Sequence, residues 1–439
     1  MRKYGMLVVC GLALTLGACQ SQEKEAAKPK GAEMSLQQKE KKEDSILLEG
    51  NWKPEIHQRL QKLIEEYGVK SSAYDKDQKP YAVFDWDNTT VINDIGEATL
   101  TYQIEHLAFK MTPDAFEAAI RKDVPLETFG EELRNKEGQD VSIEEIAADL
   151  RSDYEYLYSQ YKGFEGDKSL EAVKKSNEYK DFSSKLRYLY EAIGDTFSSD
   201  ISYPWVTYLY AGMTSEEVQE LAKKSIEVAH GEELTKETWT SPESLKGQAG
   251  QVSVDFKRGV RSVPEMQNLY QTLMANGIDV YVNSASYIDV IIPYATSKEL
   301  GYGVPEDHVY AMRLAKDEEG KIQAQLDENY PQTQGEGKTE TINNFMAVHH
   351  GGQAPLLIGG DSNGDYAMLK DFPDLQVGLI FNLLRDPEKG IGLLATEAIN
   401  TMDQEERLYY LQGRDENKGV LRKSSETVKL SEKEARLQK

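Results

Sequence analysis

Short apolar runs alternate with longer amphipathic stretches along most of this chain. Five runs have the length of buried strands: YAVFD at 81–85, IDVYVNS at 278–284, HVYAMRL at 308–314, PLLIGGD at 355–361 and QVGLIFN at 376–382. Helical patterns fall between the later ones. From Pro264 to Asn276, Met266, Leu269, Tyr270, Leu273 and Met274 share one face, and Gly277 follows as a stop. Continuous apolar strands alternating with helices predict a parallel sheet covered on both faces. Between the first two runs, from about Gly96 to Ala229, the pattern is helical and rich in polar residues. In GMTSEEVQELAKKSIEVAH, Thr214 or Ser215 is the N-cap, and Val218, Leu221 and Ile226 form the apolar stripe. The expected fold class is therefore α/β, a Rossmann-like parallel sheet with a large helical block inserted after the first strand.

The ends of the chain follow other rules. Arg2 and Lys3 precede an apolar stretch from Met6 to Leu16, and Leu16-Gly17-Ala18-Cys19 resembles a lipobox. That stretch is too short to span a bilayer, so residues 1–18 read as a lipoprotein signal peptide with Cys19 as the lipidated residue. The placement this implies is the bacterial cell envelope, on the outer face of a membrane. Residues 19–50 read as a flexible tether, being polar and charged with few large apolar side chains. The tail, 412–439, has a similar polar composition and reads as a frayed helix.

Cys10 and Cys19 are the two cysteines, both in the leader region, so the folded part has no disulfide, zinc–thiolate site or cysteine nucleophile. A formal charge of -24 argues against nucleic acid as a partner. It also means that an anionic substrate must find its positive charge locally.

The candidate chemistry lies at strand ends. Ligands of open parallel sheets bind at the carboxyl ends of strands, where Asp85, Ser284 and Asp361 each end a different apolar run. Residues two apart on an extended chain face the same side, so Asp85 and Asp87 point at one site. Asp361 and Asp365 in GGDSNGDY form a second pair. Four converging carboxylates repel one another, which implies a hard divalent cation with oxygen ligands, Mg²⁺, held by Asp85, Asp87, Asp361 and Asp365. An EF-hand does not fit DSNGD, since Tyr366 stands where the obligatory Gly would be and Phe372 where the Glu would be. Lys338, in a glycine-flanked turn that opens a helix, and the Ser284 hydroxyl are the groups a phosphoryl oxygen needs. His349 and His350, at a helix end before a glycine pair, read as capping residues rather than metal ligands.

These residues, in this order, resemble the four motifs of the haloacid dehalogenase superfamily of phosphatases. The first matches Asp85-Trp86-Asp87-Asn88-Thr89, the second Ser284, the third Lys338, and the fourth Asp361 with Asp365. Thr90 departs from the pattern, taking a place usually held by an aliphatic residue. The resemblance covers about 80–98 and 258–384, and GIDVYVNSAS and GGDSNGDYAML look like the phosphoserine phosphatase-like branch. It implies a core beginning at 51–95 and resuming over 256–411, with residues 96–255 as a helical cap. It also implies that Thr89 joins Ser284 and Lys338 in binding phosphate. Asp85 would then attack phosphorus, and Asp87 would protonate the leaving alkoxide before activating water. An acid at Asp87 separates hydrolytic members from ion transporters and dehalogenases; a phosphomutase, which shares the pair, fits an exported lipoprotein poorly.

For the substrate, export disfavours serine biosynthesis, and exported relatives with large caps resemble phosphorylcholine phosphatases. A quaternary ammonium needs an aromatic cage. SYPWVTYLY supplies Tyr203, Trp205, Tyr208 and Tyr210, of which Trp205 and Tyr208 are the expected contacts, and DYEYLYSQY supplies Tyr154, Tyr156, Tyr158 and Tyr161. Glu97 is a candidate for the cationic group or for a helix cap. The alternatives are a phosphoserine phosphatase, a non-catalytic surface-binding lipoprotein on the same scaffold, and an exported class C acid phosphatase. The long stretch between Asp87 and Ser284 does not look like that of the last.

Overall fold

A computed structural model of the chain describes residues 47–439. The signal peptide, Cys19 and most of the tether lie outside the described residues. Six strands form one parallel sheet: β1 (Tyr81–Phe84), β2 (Asp279–Tyr287), β3 (Val309–Met312), β4 (Leu357–Gly360), β5 (Val377–Phe381) and β6 (Tyr409–Gln412). Their order across the sheet is β6-β5-β4-β1-β2-β3. This is a doubly wound, Rossmann-like order, which reverses between β1 and β4 and opens a crevice there. The α/β class expected from the pattern is the one observed. The sixth strand was not anticipated, because YYLQ lacks the β-branched run that marks the others.

Successive side chains of β1 enter opposite cores, as a period of two requires. Ala82 and Phe84 pack with Leu60, Leu63, Leu269 and Leu273 from the helices Pro54–Tyr67 and Pro264–Ala275. Tyr81 and Val83 pack on the other face with Met346, Leu369 and Leu394. Two glycines let β4 approach its neighbours closely: a Cβ on Gly359 would lie 2.6 Å from the Phe84 ring, and one on Gly360 would lie 2.6 Å from Asp365 Cβ. His350 lies at the end of a 3₁₀ turn. Its ring bonds the Lys79 carbonyl and the Tyr281 hydroxyl and stacks on Tyr81.

Between β1 and β2 the chain forms the inserted layer. Its main helices are Ile95–His106, Pro113–Arg121, Ile143–Gln160, Asn177–Thr196, Ser199–Thr207 and Ser215–Gly231. The block is not helical throughout, because Thr235–Thr240 and Ser253–Arg258 pair as an antiparallel hairpin, with Trp239 packed edge-on against Phe256. That hairpin hid in the sequence because its outward positions are polar and its loop is long.

Two boundaries also change. Leu47 is fully buried and Leu48 donates its N–H to Asn268, so the last residues assigned to the tether are part of the folded body. The polar tail is not frayed. Arg414–Asp415, Val420–Leu421, Thr427–Val428 and Ala435–Arg436 form a small mixed sheet. Its charged groups are paired: Arg414 and Glu416, each 1% exposed, lie 2.8 Å apart, and Lys429 adds a second cation at 3.0 Å. Burial pushes the Glu416 carboxyl up, but Arg414, Lys257 and Lys429 outweigh it and hold the group well below the usual range. Composition alone missed this, because such pairing is a long-range property. Among the described residues, no helix is long and apolar enough to cross a membrane.

We predict that Arg414→Met will destabilise the fold by about 3 kcal/mol, since removing one partner leaves a buried charge short of compensation. Chemical unfolding of the two chains measures it, and an unchanged midpoint would mean that the C-terminal sheet is dispensable.

A second prediction concerns the helical layer. Lys185 is buried against Asp149 and Asp181, at 2.8 Å from each, while Asp153 Oδ2 and Asp181 Oδ1 are buried without a donor. Burial, and then Asp181, push the Asp153 carboxyl up to about 9. A carboxyl whose folded pKa exceeds its unfolded value near ~3.9 stabilises fully below that value. The contribution fades as pH climbs toward 9. Asp153→Asn stays neutral throughout, so its melting temperature relative to the native chain should be higher at pH 8 than at pH 5. An equal difference at both pH values would show that Asp153 carries no proton.

Candidate active site

The crevice at the β1/β4 reversal is lined by Asp85, Asp87, Ser284, Lys338 and Asp361, with residues of the inserted helices above them. Four elements bring these side chains together. Asp85 follows β1, and its N–H donates to the Gly359 carbonyl of β4 at 3.0 Å. Lys338 sits in the short helix Glu336–Thr341, whose carbonyl at Lys338 accepts the Asn283 amide of β2 at 3.0 Å. Its ammonium, 1% exposed, reaches Asp85 Oδ1 at 2.7 Å and Asp365 Oδ1 at 2.6 Å. Burial pulls the Lys338 pKa down, but Asp365 and Asp85 more than reverse this and keep it a cation.

The carboxylates divide into two groups. Asp85, Asp361 and Asp365 each offer an oxygen within 4.8 Å of the others, and all are buried. Burial, and then Asp365, raise the Asp85 carboxyl well above its usual range, against the pull of Lys338. Asp361 is also raised by burial and by Asp365, with Arg385 opposing. The Asp87 side chain does not join this set, contrary to the expectation of four ligands. Its Oδ1 accepts the Ile95 N–H and its Oδ2 accepts the Ser286 hydroxyl, each at 2.7 Å. Burial pushes Asp87 up to about 7, with those two hydrogen bonds pulling the other way.

The remaining sequence candidates fare unequally. The Ser284 hydroxyl lines the crevice and accepts the Ser286 N–H at 3.1 Å, which leaves its proton to donate. Thr89 does not line it; the hydroxyl donates to Asp361 Oδ1 at 2.8 Å and orients that carboxylate instead of a phosphate. Thr90, the departure from the motif pattern, braces the loop by donating to the Asp85 carbonyl at 2.6 Å and pairing with the Tyr270 hydroxyl. Glu97 lines the crevice, but its carboxylate already accepts from Arg187 at 2.7 Å.

Trp205 and Tyr208 are not cage residues. Trp205 is fully buried and donates to the Ile120 carbonyl, and the Tyr208 hydroxyl donates to Asp123. Tyr154 and Tyr158 are likewise spent on Phe116 and Phe164. Helical phase turned these rings into the bundle, while Tyr203 and Tyr210 of the same segment, joined by Tyr190 and Tyr287, wall the crevice.

Several residues that line or brace the crevice were missed. Ser286 stands two positions after Ser284 on one strand, and the two-residue period was signal enough. Arg385 follows the carboxyl end of β5, where the rule that exposed Asp85 and Asp361 also applies. Tyr190 lies within a helix and had no local signal. Arg414 was hidden in the supposed tail: it donates to the Asn88 carbonyl at 2.8 Å and to Asn88 Oδ1 at 3.0 Å. Asn88, between Asp87 and Thr89, has φ 60, a left-handed conformation that asparagine tolerates and this clamp holds.

No protein-family model and no curated protein matches the chain. Among solved structures, a phosphoserine phosphohydrolase-like protein from Francisella tularensis subsp. tularensis SCHU S4 is 11% identical. That alignment covers 72% of this chain and 92% of the other, with a TM-score of 0.27. A substrate-bound phosphoserine phosphatase is 14% identical over 69% of this chain and 86% of its own, with a TM-score of 0.29. Likenesses that distant carry no argument. A conserved, functionally unknown protein from Anaerococcus prevotii DSM 20548 is different in kind, at 36% identity and a TM-score of 0.83 over 89% of this chain and 100% of that one. The chain belongs to the same protein family as that Anaerococcus prevotii protein.

Proposed function

We propose that the protein is a haloacid dehalogenase-type phosphatase, a Mg²⁺-dependent hydrolase of small phosphate monoesters. One observation carries the reading: a buried carboxylate bridged to a buried lysine, Asp85 to Lys338 at 2.7 Å, lies two residues from a separate carboxyl, Asp87, which accepts from Ile95 and Ser286 at 2.7 Å each. A binding protein has no use for an acid held apart from the ion-binding cluster, which speaks against the non-catalytic alternative.

The donor set fits a hard cation, since Asp85, Asp361 and Asp365 offer only oxygen and converge in a buried site. A divalent cation bound there supplies charge neutralisation, for Asp85 as an ionised nucleophile and for the phosphoryl oxygens. The chain's own groups do the rest. Lys338 and the Ser284 hydroxyl hold phosphoryl oxygens. A carboxylate oxygen of Asp85 bonds to phosphorus as the ester P–O bond breaks, and Asp87 gives its proton to the departing oxygen. Asp87 then takes a proton from water, whose oxygen displaces the Asp85 carboxylate from phosphorus. Phosphate leaves, and both aspartates return to their starting states.

The crevice encloses about 80 Å³, well under the ~300–1,000 Å³ that drug-sized ligands occupy, so the substrate is small. Phosphorylcholine is the substrate we favour. Its ammonium has a fixed charge and no N–H to donate, and Tyr190, Tyr203, Tyr210 and Tyr287 present rings around the crevice. Phosphoserine is the second candidate. Lipidation at Cys19 belongs to the same proposal and would place the enzyme on the outer face of a membrane.

Phosphate release from nitrophenyl phosphate, phosphorylcholine and phosphoserine tests the reading on protein starting at residue 47. We expect release that is abolished by Asp85→Asn without loss of the fold, and by excess chelator, with added Mg²⁺ restoring only the native chain. Full turnover in Asp85→Asn would remove the mechanism, and no release by the native chain would return the binding reading.

Asp87→Asn should fail selectively. An alkoxide leaving group needs a proton while a nitrophenolate barely does, so the loss should be on the order of 10²-fold for an alkyl phosphate and much smaller for nitrophenyl phosphate. Equal losses for both would assign Asp87 only to holding the Ile95 and Ser286 contacts.

A further inference from the structure

Two cations line the crevice, Lys338 and Arg385. They are placed very differently. Lys338 is buried and committed to two carboxylates, whereas the Arg385 side chain is 44% exposed. Arg385 touches Asp361 by two long contacts, Nε to the carbonyl and Nη2 to Oδ2, both at 3.3 Å. The other N–H groups of its fork make no hydrogen bond among the described residues. A guanidinium held this loosely beside a carboxylate cluster is not a structural ion pair of the Arg414 kind.

The backbone under Arg385 is also specialised. Leu384, immediately before it, has φ 56, where a bulky residue is a genuine outlier. Such a conformation persists when its surroundings over-determine it, and strain of this sort gathers at functional loops. Asn382 supplies the restraint. Its Oδ1 accepts the Leu384 N–H at 2.9 Å, and its amide donates to the carbonyls of Ser425 at 2.7 Å and Leu437 at 2.9 Å. The Thr427 hydroxyl donates to the Asn382 carbonyl at 2.7 Å. The C-terminal sheet thus holds a strained turn whose product is one arginine at the crevice, a placement that a surface salt bridge would not require.

We propose that Arg385 is a further substrate-binding residue, whose guanidinium takes oxygens of the phosphoryl group opposite Lys338 and Ser284. A planar fork is suited to paired oxyanion contacts. It supplies positive charge in a crevice whose other lining includes Asp85, Asp87, Asp94, Glu97 and Asp361.

The test has a kinetic arm, which rests on the phosphatase reading, and a binding arm, which does not. In the first, Arg385→Gln should raise KM for nitrophenyl phosphate, and the inhibition constant of inorganic phosphate, on the order of tenfold. The turnover number should change far less. Arg385→Lys should recover part of the loss, and both variants should melt as the native chain does, because the side chain is half exposed. In the second arm, calorimetry with inorganic phosphate should show the same weakening in Arg385→Gln. Unchanged KM and phosphate affinity would overturn the proposal and leave Arg385 as a neutraliser of Asp361. Phosphate binding that depends on Arg385 in a chain without hydrolytic activity would instead sink the phosphatase reading and keep this one.

Discussion

One buried ammonium makes the rest of the crevice possible. Asp85, Asp361 and Asp365 bring three carboxylates within 4.8 Å in a site removed from water, an arrangement that repels itself. Lys338 reaches two of them at once, at 2.7 and 2.6 Å. Removing a charge from water is costly, and such a pair holds only where its geometry is good and the remaining donors and acceptors are satisfied. The surroundings meet that condition. Asn283 fixes the Lys338 carbonyl, Thr89 orients Asp361, and Asp365 Oδ2 accepts the N–H groups of Asp361 and Ser362.

The same constraint explains where the site lies. A lysine and three aspartates from three segments converge where strand ends meet, and the sheet offers that between β1 and β4. Gly360 lets Asp365 fold back against its own strand, since a side chain there would collide with it. Asp87 lies outside the cluster because Ile95, at the start of the first inserted helix, and Ser286 of β2 both donate to its oxygens. Two aspartates two residues apart thus acquire different environments.

The C-terminal sheet braces the crevice from below. Arg414 grips Asn88, Asn382 is tied to Ser425 and Leu437, and Glu416 lies 3.6 Å from Lys257 of the inserted hairpin. One small sheet therefore touches the loop after β1, the loop after β5 and the inserted layer. Its own strands are only two residues long, too short to stand alone. They persist because the body they brace satisfies them in return.

The strands, the helix Pro264–Ala275 and the places of Asp85, Ser284, Lys338, Asp361 and Asp365 were legible because each follows from local chemistry. Alternation along a strand, an apolar stripe on a helix and a polar residue at a strand end are set within a few residues. What stayed illegible was decided by partners far away in the chain. Trp205 and Tyr203 share one helix, yet the first faces the bundle and the second the crevice, which only the packing of neighbouring helices settles. The tail looked too polar to fold because a sequence counts apolar area, whereas Arg414 and Glu416 are held by each other and by residues up to 326 positions away. By itself, then, the sequence determined five of the six strands and the polar side chains at their ends. Tertiary structure alone decided which carboxylate stands apart from the cluster, which rings wall the crevice and that the last residues fold, because burial and pairing belong to the assembled chain.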